Sequence, residues 1–176
     1  MKIKVENLTE TNFAKFGNVL GVSEVKSPNI KDDISNVWLG MSDLMGIGVN
    51  PGKQITFLQI HSKPVINNKI EKHETSAEAF IPMQGMSILM VVPSEAIDRD
   101  GRPDMTKCRA FLMDGSKGVL MKPGTWHAVP YPLSDEATYI VLVDDAIISK
   151  NDLHVTSVEE VEFDLLDIKE FAGRDN

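Results

Sequence analysis

Two short stretches of this chain carry side chains able to do chemistry near neutral pH. The first is His73-Glu74-Thr75-Ser76-Ala77-Glu78, with Glu71 two residues before the histidine and Gly85 seven after Glu78. The second is Lys122-Pro123-Gly124-Thr125-Trp126-His127. Neutral imidazole and carboxylate bind borderline metal ions and move protons in this pH range. His73, Glu78, His127 and Glu71, if they converge, form a mixed N/O site. Such a site suits zinc, iron, manganese or nickel better than calcium. On a strand Glu71 and His73 share a face. Glu78 stands at an odd offset from His73, so a turn or bulge near Thr75-Ser76 must return it to that face. Each residue alone also reads as a rim or solvated group beside Lys69 and Lys72. The set, with its spacing, favours a site.

The cations nearest these stretches are Lys63, Arg109 and Lys122. The chain has 18 Lys plus Arg against 26 Asp plus Glu, a net charge of -8. An anionic small molecule would therefore need such a local cation, and Lys122 reads equally well as a surface charge. His61, at the end of a strand-like run, can serve the site or the surface. His154 reads as structural. Trp126 either walls a pocket or packs in a core. With no basic run, the acidic balance argues against nucleic acid and anionic membranes as partners.

Other chemistries lack their signatures. The chain holds no GxSxG, no P-loop and no GxGxxG, and nothing in it calls for an organic cofactor. Cys108 is the only cysteine, which excludes an intrachain disulfide and a cysteine-rich zinc site. Flanked by Lys107 and Arg109 without a CxxC partner, it reads as a plain thiol. No run is apolar enough to span a bilayer, and Met1 to Glu6 does not read as a signal peptide, so a cytoplasmic soluble protein is expected.

The elements that must position these residues read as short strands. The 176 residues, 42% apolar and 25% charged, suit one domain with one sizeable core. Thr9 to Phe16 reads as a helix capped by Thr9 and closed by Gly17. Asn18 to Val22 reads as a strand, and residues 23 to 36 as a loop. Val37-Trp38-Leu39 opens an apolar region broken by glycines. Gln54 to Ile60 is strand-like and ends at Ser62-Lys63-Pro64. Gln84-Gly85 and Asp114-Gly115 read as hairpin turns. Asp98 to Asp104 is an exposed loop. Ala137 to Val143 is the most continuously apolar strand. Ser157 to Glu170 has apolar residues at helical spacing, although Val161 and Phe163 also alternate as in a strand. Many short strands punctuated by turns predict a sandwich or barrel.

The motif residues resemble those of the cupin superfamily. His73, Glu78 and Gly85 fit the spacing of its first motif, with Glu71 where a second histidine is usual. Gly124-Thr125-Trp126-His127 fits the second motif, with the proline adjacent to the glycine at Pro123 and Tyr131 where asparagine is usual. Within cupins the chain is most similar to the ureidoglycolate lyase family from Phe13 to about Leu142. The carriers are Phe16-Gly17-Asn18-Val19, Glu71-Lys72-His73, Ala79-Phe80-Ile81-Pro82-Met83 with Gly85, Arg109-Ala110-Phe111, Asp114-Gly115, Gly118-Val119 and Gly124-Thr125-Trp126-His127. That family has glutamine where this chain has Glu78, arginine where it has His61, and often histidine where it has Ala128.

The resemblance implies an all-β cupin fold, a double-stranded β-helix or jelly-roll barrel with its core over about 18–143. A short N-terminal helix lies outside it, with a C-terminal helix left open. It implies a homodimer that cleaves ureidoglycolate to glyoxylate and urea in purine breakdown. His127 and Glu78 would be acid and base in either order, and His73 a metal ligand or orienting group. Lys122, Arg109 and His61 would bind the small-molecule carboxylate substrate. The alternative is a metal cupin of another reaction, or one that binds a small carboxylate or sugar without catalysis. Glu78 in place of glutamine favours it.

Overall fold

The computed structural model describes residues 1–23, 25–31, 36–37, 55–61, 68–144 and 152–165. The strands are β1 (Lys2–Asn7), β2 (Gly17–Leu20), β3 (Ile30–Lys31), β4 (Asn36–Val37), β5 (Ile55–His61), β6 (Lys69–Lys72), β7 (Glu78–Gln84) and β8 (Ser87–Val92), then β9 (Arg109–Met113), β10 (Gly118–Met121), β11 (Trp126–His127), β12 (Tyr131–Pro132), β13 (Glu136–Leu142), β14 (His154–Ser157) and β15 (Glu162–Asp164). One helix, α1 (Glu10–Phe13), follows β1. The larger sheet runs β14-β6-β11-β8-β9-β1-β15, with β12 also on β8. The second runs β2-β10-β7-β13-β5. The two curl and pack face to face as a jelly-roll barrel, the all-β architecture expected from the density of strands and turns. No helix among the described residues is long and apolar enough to cross a membrane.

Alternation along the strands explains the packing. All six residues of β8 are buried, on both faces of the sheet. Leu89 and Val91 point between the sheets, where they meet Phe111 and Met113 of β9, Val119 and Met121 of β10, and Tyr139 and Val141 of β13. Ile88, Met90 and Val92 point to the outer side, against Ala110, Leu112, Trp126 and Val161. A period-two strand with both faces covered must be apolar throughout, as this one is.

Several expectations are corrected. The Gln84-Gly85 and Asp114-Gly115 turns are real, with Gly85 at φ 79° and Gly115 at φ 92°. Neither closes a hairpin. β7 and β10 pair with each other in the second sheet, while β8 and β9 pair in the first, so each turn carries the chain from one sheet to the other. Turn chemistry fixes a reversal of direction and says nothing about which strand receives the chain. The sheets also reach beyond 18–143: β1 pairs β9 in parallel and β14 pairs β6. The N-terminal helix is one turn, with the Thr9 side chain accepting from the Asn12 N–H. It stops early because Phe13 and Phe16 must both reach Phe111, at ring centroid distances of 5.3 and 5.6 Å. At the C-terminal end, β15 pairs with β1 in parallel, so the alternation of Val161 and Phe163 wins over helical spacing as far as Leu165. The remainder of that segment, the apolar region after Val37 and the Ser62-Lys63-Pro64 turn lie outside the described residues.

Candidate active site

Glu71 lies on β6 and pairs with His127 of β11, so both side chains leave the same face of the larger sheet. His73 sits one residue beyond β6. The chain bends at Glu74-Thr75 and re-enters the second sheet at Glu78, the first residue of β7. The anticipated turn therefore also carries the chain between sheets, and Glu78 faces the histidines across the barrel interior. Gly124 draws the two motifs together. Its N–H donates to the His73 carbonyl at 2.6 Å, and its φ of 79° is a left-handed conformation that glycine adopts at little cost. Three residues later the strand delivers His127.

One ligand atom from each of Glu71, His73, Glu78 and His127 lies within 4.8 Å of all the others. His127 Nε2 is 2.9 Å from Glu78 Oε2 and 3.7 Å from Glu71 Oε1, and His73 Nε2 is 3.4 Å from Glu78 Oε2. The imidazole rings are 5.4 Å apart, and Phe80 meets His127 edge-on at 6.1 Å. Each ring's outward nitrogen is committed. His73 Nδ1–H donates to the Asp152 carbonyl at 2.7 Å, and His127 Nδ1–H to the Thr125 carbonyl at 3.0 Å. A carbonyl only accepts, so both neutral rings carry their proton on Nδ1 and turn an Nε2 lone pair inward.

The two Nε2 atoms and Glu78 Oε2 are buried and hold no hydrogen bond among the described residues. Three lone-pair atoms this close repel unless a proton or a cation lies among them. Burial pushes the Glu78 carboxyl up, but His127 and His73 outweigh it and hold the group at about 2. Burial pulls His73 down, and Glu78, the Asp152 carbonyl and Glu71 together leave it raised. Two donor atoms about 2.0–2.2 Å from one ion stand roughly 3–3.6 Å apart. The separations of Glu78 from the two histidines, 2.9 and 3.4 Å, are close to that range and Glu71 stands slightly outside it at 3.7 Å, so these residues suit a divalent ion held by nitrogen and oxygen. Two carboxylates and two imidazoles also exclude a soft-metal reading.

The three expected substrate-binding residues do not join this cluster. Arg109 Nε–H donates to Glu6 Oε1 at 2.7 Å, its Nη2–H to Glu6 Oε2, and its Nη1–H to the Asn12 carbonyl at 2.7 Å. It also lies over the Phe111 ring at 4.9 Å. The guanidinium thus ties β9 to β1 and α1. Lys122 is exposed and follows Met121, which faces inward opposite Glu78. Its charge acts on Glu95, whose carboxyl is lowered first by its own N–H, then by Ser94, Lys122 and Lys15 against slight burial. His61 pairs with Glu136 at one end of β13, whereas Ala79, next to Glu78, pairs with Leu142 at the other. Six residues of strand separate those levels by about 20 Å. Cys108 is half-buried, and burial pushes its thiol up to about 12, consistent with an inert side chain. His154 is exposed on β14.

The tie between Arg109 and Glu6 gives a first prediction. Arg109→Met should lower stability by about 1–2 kcal/mol, the worth of charge-assisted hydrogen bonds at a partly exposed site. Hydrogen bonds from Arg109 hold the Glu6 carboxyl below its ordinary 4.5 against burial. Its contribution is therefore complete above that value and lost as pH falls through the lower folded value. Urea denaturation at pH 7 and at pH 3 should show the difference between wild type and variant shrinking with acid.

A jelly-roll barrel that gathers histidines and carboxylates between its sheets is a cupin-like protein. The family model for ureidoglycolate lyase matches residues 1–165, and the chain belongs to that family. It is 28% identical over 143 residues to a ureidoglycolate lyase of Chelativorans sp. (strain BNC1), covering 80% of this chain and 84% of that protein. It is 26% identical over 134 residues to one of Salmonella typhimurium, covering 72% of this chain and 78% of the relative.

Proposed function

We propose that this protein is a carbon-nitrogen lyase that cleaves ureidoglycolate to glyoxylate and urea, with His127, Glu78 and His73 at the reacting centre. The observation that carries the reading is the convergence on one point of three buried atoms whose nearest partners are one another, in a member of this family. The substrate is a carbinolamine. Its hydroxyl proton must leave, the C–N bond must break as the carbonyl forms, and the urea nitrogen must gain a proton. Glu78, held ionised, takes the hydroxyl proton. Glu78 passes that proton to the His127 Nε2 lone pair 2.9 Å away, and His127 delivers it to the departing nitrogen. His73 holds Glu78 in place from the other side. A divalent ion would be held by His73, His127, Glu78 and Glu71 in place of the proton that Glu78 and His127 otherwise share, and would supply polarisation of the hydroxyl.

Charge supports a metal. Glu71 and Glu78 already place two carboxylates in the cluster, and the anionic substrate brings a third. Arg109 is tied to Glu6, and a divalent cation among the four residues would be a fitting counter-charge. Zinc, nickel, manganese or iron is the proposed ion. Its affinity should fall by about tenfold or more per unit as pH drops through the histidine range, because protonated imidazole cannot coordinate. Titration calorimetry between pH 8 and 5.5 measures this, and a flat profile would remove the histidines from the ligand set.

The family resemblance further supports a homodimer in the cytoplasm. Phe57 and Met83, 62% and 59% exposed on the outer face of the second sheet, offer apolar area for self-association. The deciding experiment supplies ureidoglycolate to protein loaded with each metal in turn and follows urea and glyoxylate. Equal release of both supports the lyase. No release with any metal would leave the second reading, a metal cupin that binds a small carboxylate or sugar, which the glutamate at position 78 favours.

A further inference from the structure

Asp152 lies 79 positions from His73 in sequence, yet it is wrapped around that histidine. It is 5% exposed. Its Oδ1 accepts from the Glu74 N–H at 2.7 Å, and its Oδ2 from the Thr75 N–H at 3.1 Å and the Thr75 hydroxyl at 2.9 Å. Its backbone carbonyl accepts the His73 Nδ1–H at 2.7 Å. Two residues on, β14 docks on β6 with His154 opposite Lys72, which fixes where Asp152 can stand.

These bonds converge on the two variables that decide what the site can hold. The first is the His73 tautomer. A ring that donates from Nδ1 keeps its Nε2 lone pair for a ligand, and the partner at the outer nitrogen sets that choice. A ring released from the carbonyl can carry its proton on Nε2, which points at Glu78 and then cannot coordinate. The second is the bend at Glu74-Thr75, which turns the chain from one sheet to the other and brings Glu78 opposite His73. The carboxylate grips both amides of that bend.

We infer that Asp152 is a positioning residue of this site, fixing the His73 tautomer through its backbone carbonyl and the approach of Glu78 through its carboxylate. The inference rests on the proposed role of His73 as a ligand or proton-transfer partner, and its test does not use activity. Asp152→Ala and Asp152→Asn are compared with wild type by zinc affinity against a chromophoric chelator, by ring ¹⁵N shifts of the metal-free protein, and by Tm. Asp152→Ala keeps the backbone carbonyl but frees it from the carboxylate's grip on the Glu74 and Thr75 amides, so the carbonyl shifts off His73 and zinc should weaken by about tenfold, the low end of the cost of losing an outer partner of a ligating histidine. His73 should gain the Nε2–H form while His127, anchored on Thr125, keeps Nδ1–H. Asp152→Asn retains an amide oxygen for the Glu74 N–H and should fall between.

Zinc affinity within about twofold of wild type, with His73 unchanged, would overturn the inference. So would equal disturbance of both histidines, which marks general loosening. If Asp152→Ala does not fold, Asp152→Asn decides alone on the same two readouts. If the wild type binds no zinc, the His73 tautomer decides. A wild type that binds zinc and releases no urea would refute the lyase and leave this result to stand or fall by itself.

Discussion

His127→Ala and Glu78→Ala should each lower kcat/KM for ureidoglycolate by about 10²–10⁴-fold, the range for a positioned proton-transfer group. Both side chains sit between the sheets, His127 at 1% exposure, so each substitution also opens space in the interior. The two losses differ in kind. His127→Ala leaves Glu78 facing only His73, whereas Glu78→Ala leaves two Nε2 lone pairs with no carboxylate between them. His127→Gln controls for volume. It keeps a polar side chain of similar reach and should recover stability without recovering activity. Steady-state kinetics with Tm on the same samples separates chemistry from folding. If either alanine variant keeps activity within about threefold of wild type, that residue is not at the reacting centre.

The cluster was legible because it is built from local relations. Glu71 and His127 pair across adjacent strands, and the bend needed to bring Glu78 to His73 follows from an odd spacing on strands of period two. Gly124 before His127 and the apolar run from Ala79 to Met83 sit where their residue types predict. What sequence could not supply was long-range partnership. Arg109 reads as a free cation until Glu6, 103 positions away, is found against it. Nothing in the sequence around Asp152 ties it to His73, 79 positions away, until β14 docks on β6. The Gln84-Gly85 and Asp114-Gly115 turns have the chemistry of hairpins, but a jelly roll uses the same turns at its corners. In each case the deciding partner is remote in the chain. Periodicity and turn residues report only on neighbours.

The second large effect concerns Glu78→Gln, the residue usual in the family by resemblance. With both Nδ1–H groups held by carbonyls, two inward Nε2 lone pairs wait for donors. A glutamine amide at position 78 has two N–H groups and can serve both nitrogens without a proton or a metal. The glutamate has none, so its site calls for an added cation. Above the histidine range, metal-free Glu78→Gln should therefore be more stable than metal-free wild type by about 1–3 kcal/mol, the cost of leaving buried polar atoms unsatisfied. The difference narrows toward acid. His73 is raised, so its imidazolium contributes stability opposite the carboxylate below its ordinary pKa and loses it as pH rises through the folded value. The advantage of the variant should shrink as pH falls from 8.5 to 6. Divalent-ion affinity should drop by at least about tenfold, since a charged ligand becomes a neutral one. Urea release should persist in the variant if the family's chemistry runs on the neutral side chain. Activity gained only on Glu78→Gln, from an inactive wild type, would mean that this glutamate serves a different reaction. A metal-free variant no more stable than wild type at pH 8.5 would show that the two nitrogens are already satisfied, and the requirement for a cation would fall with it.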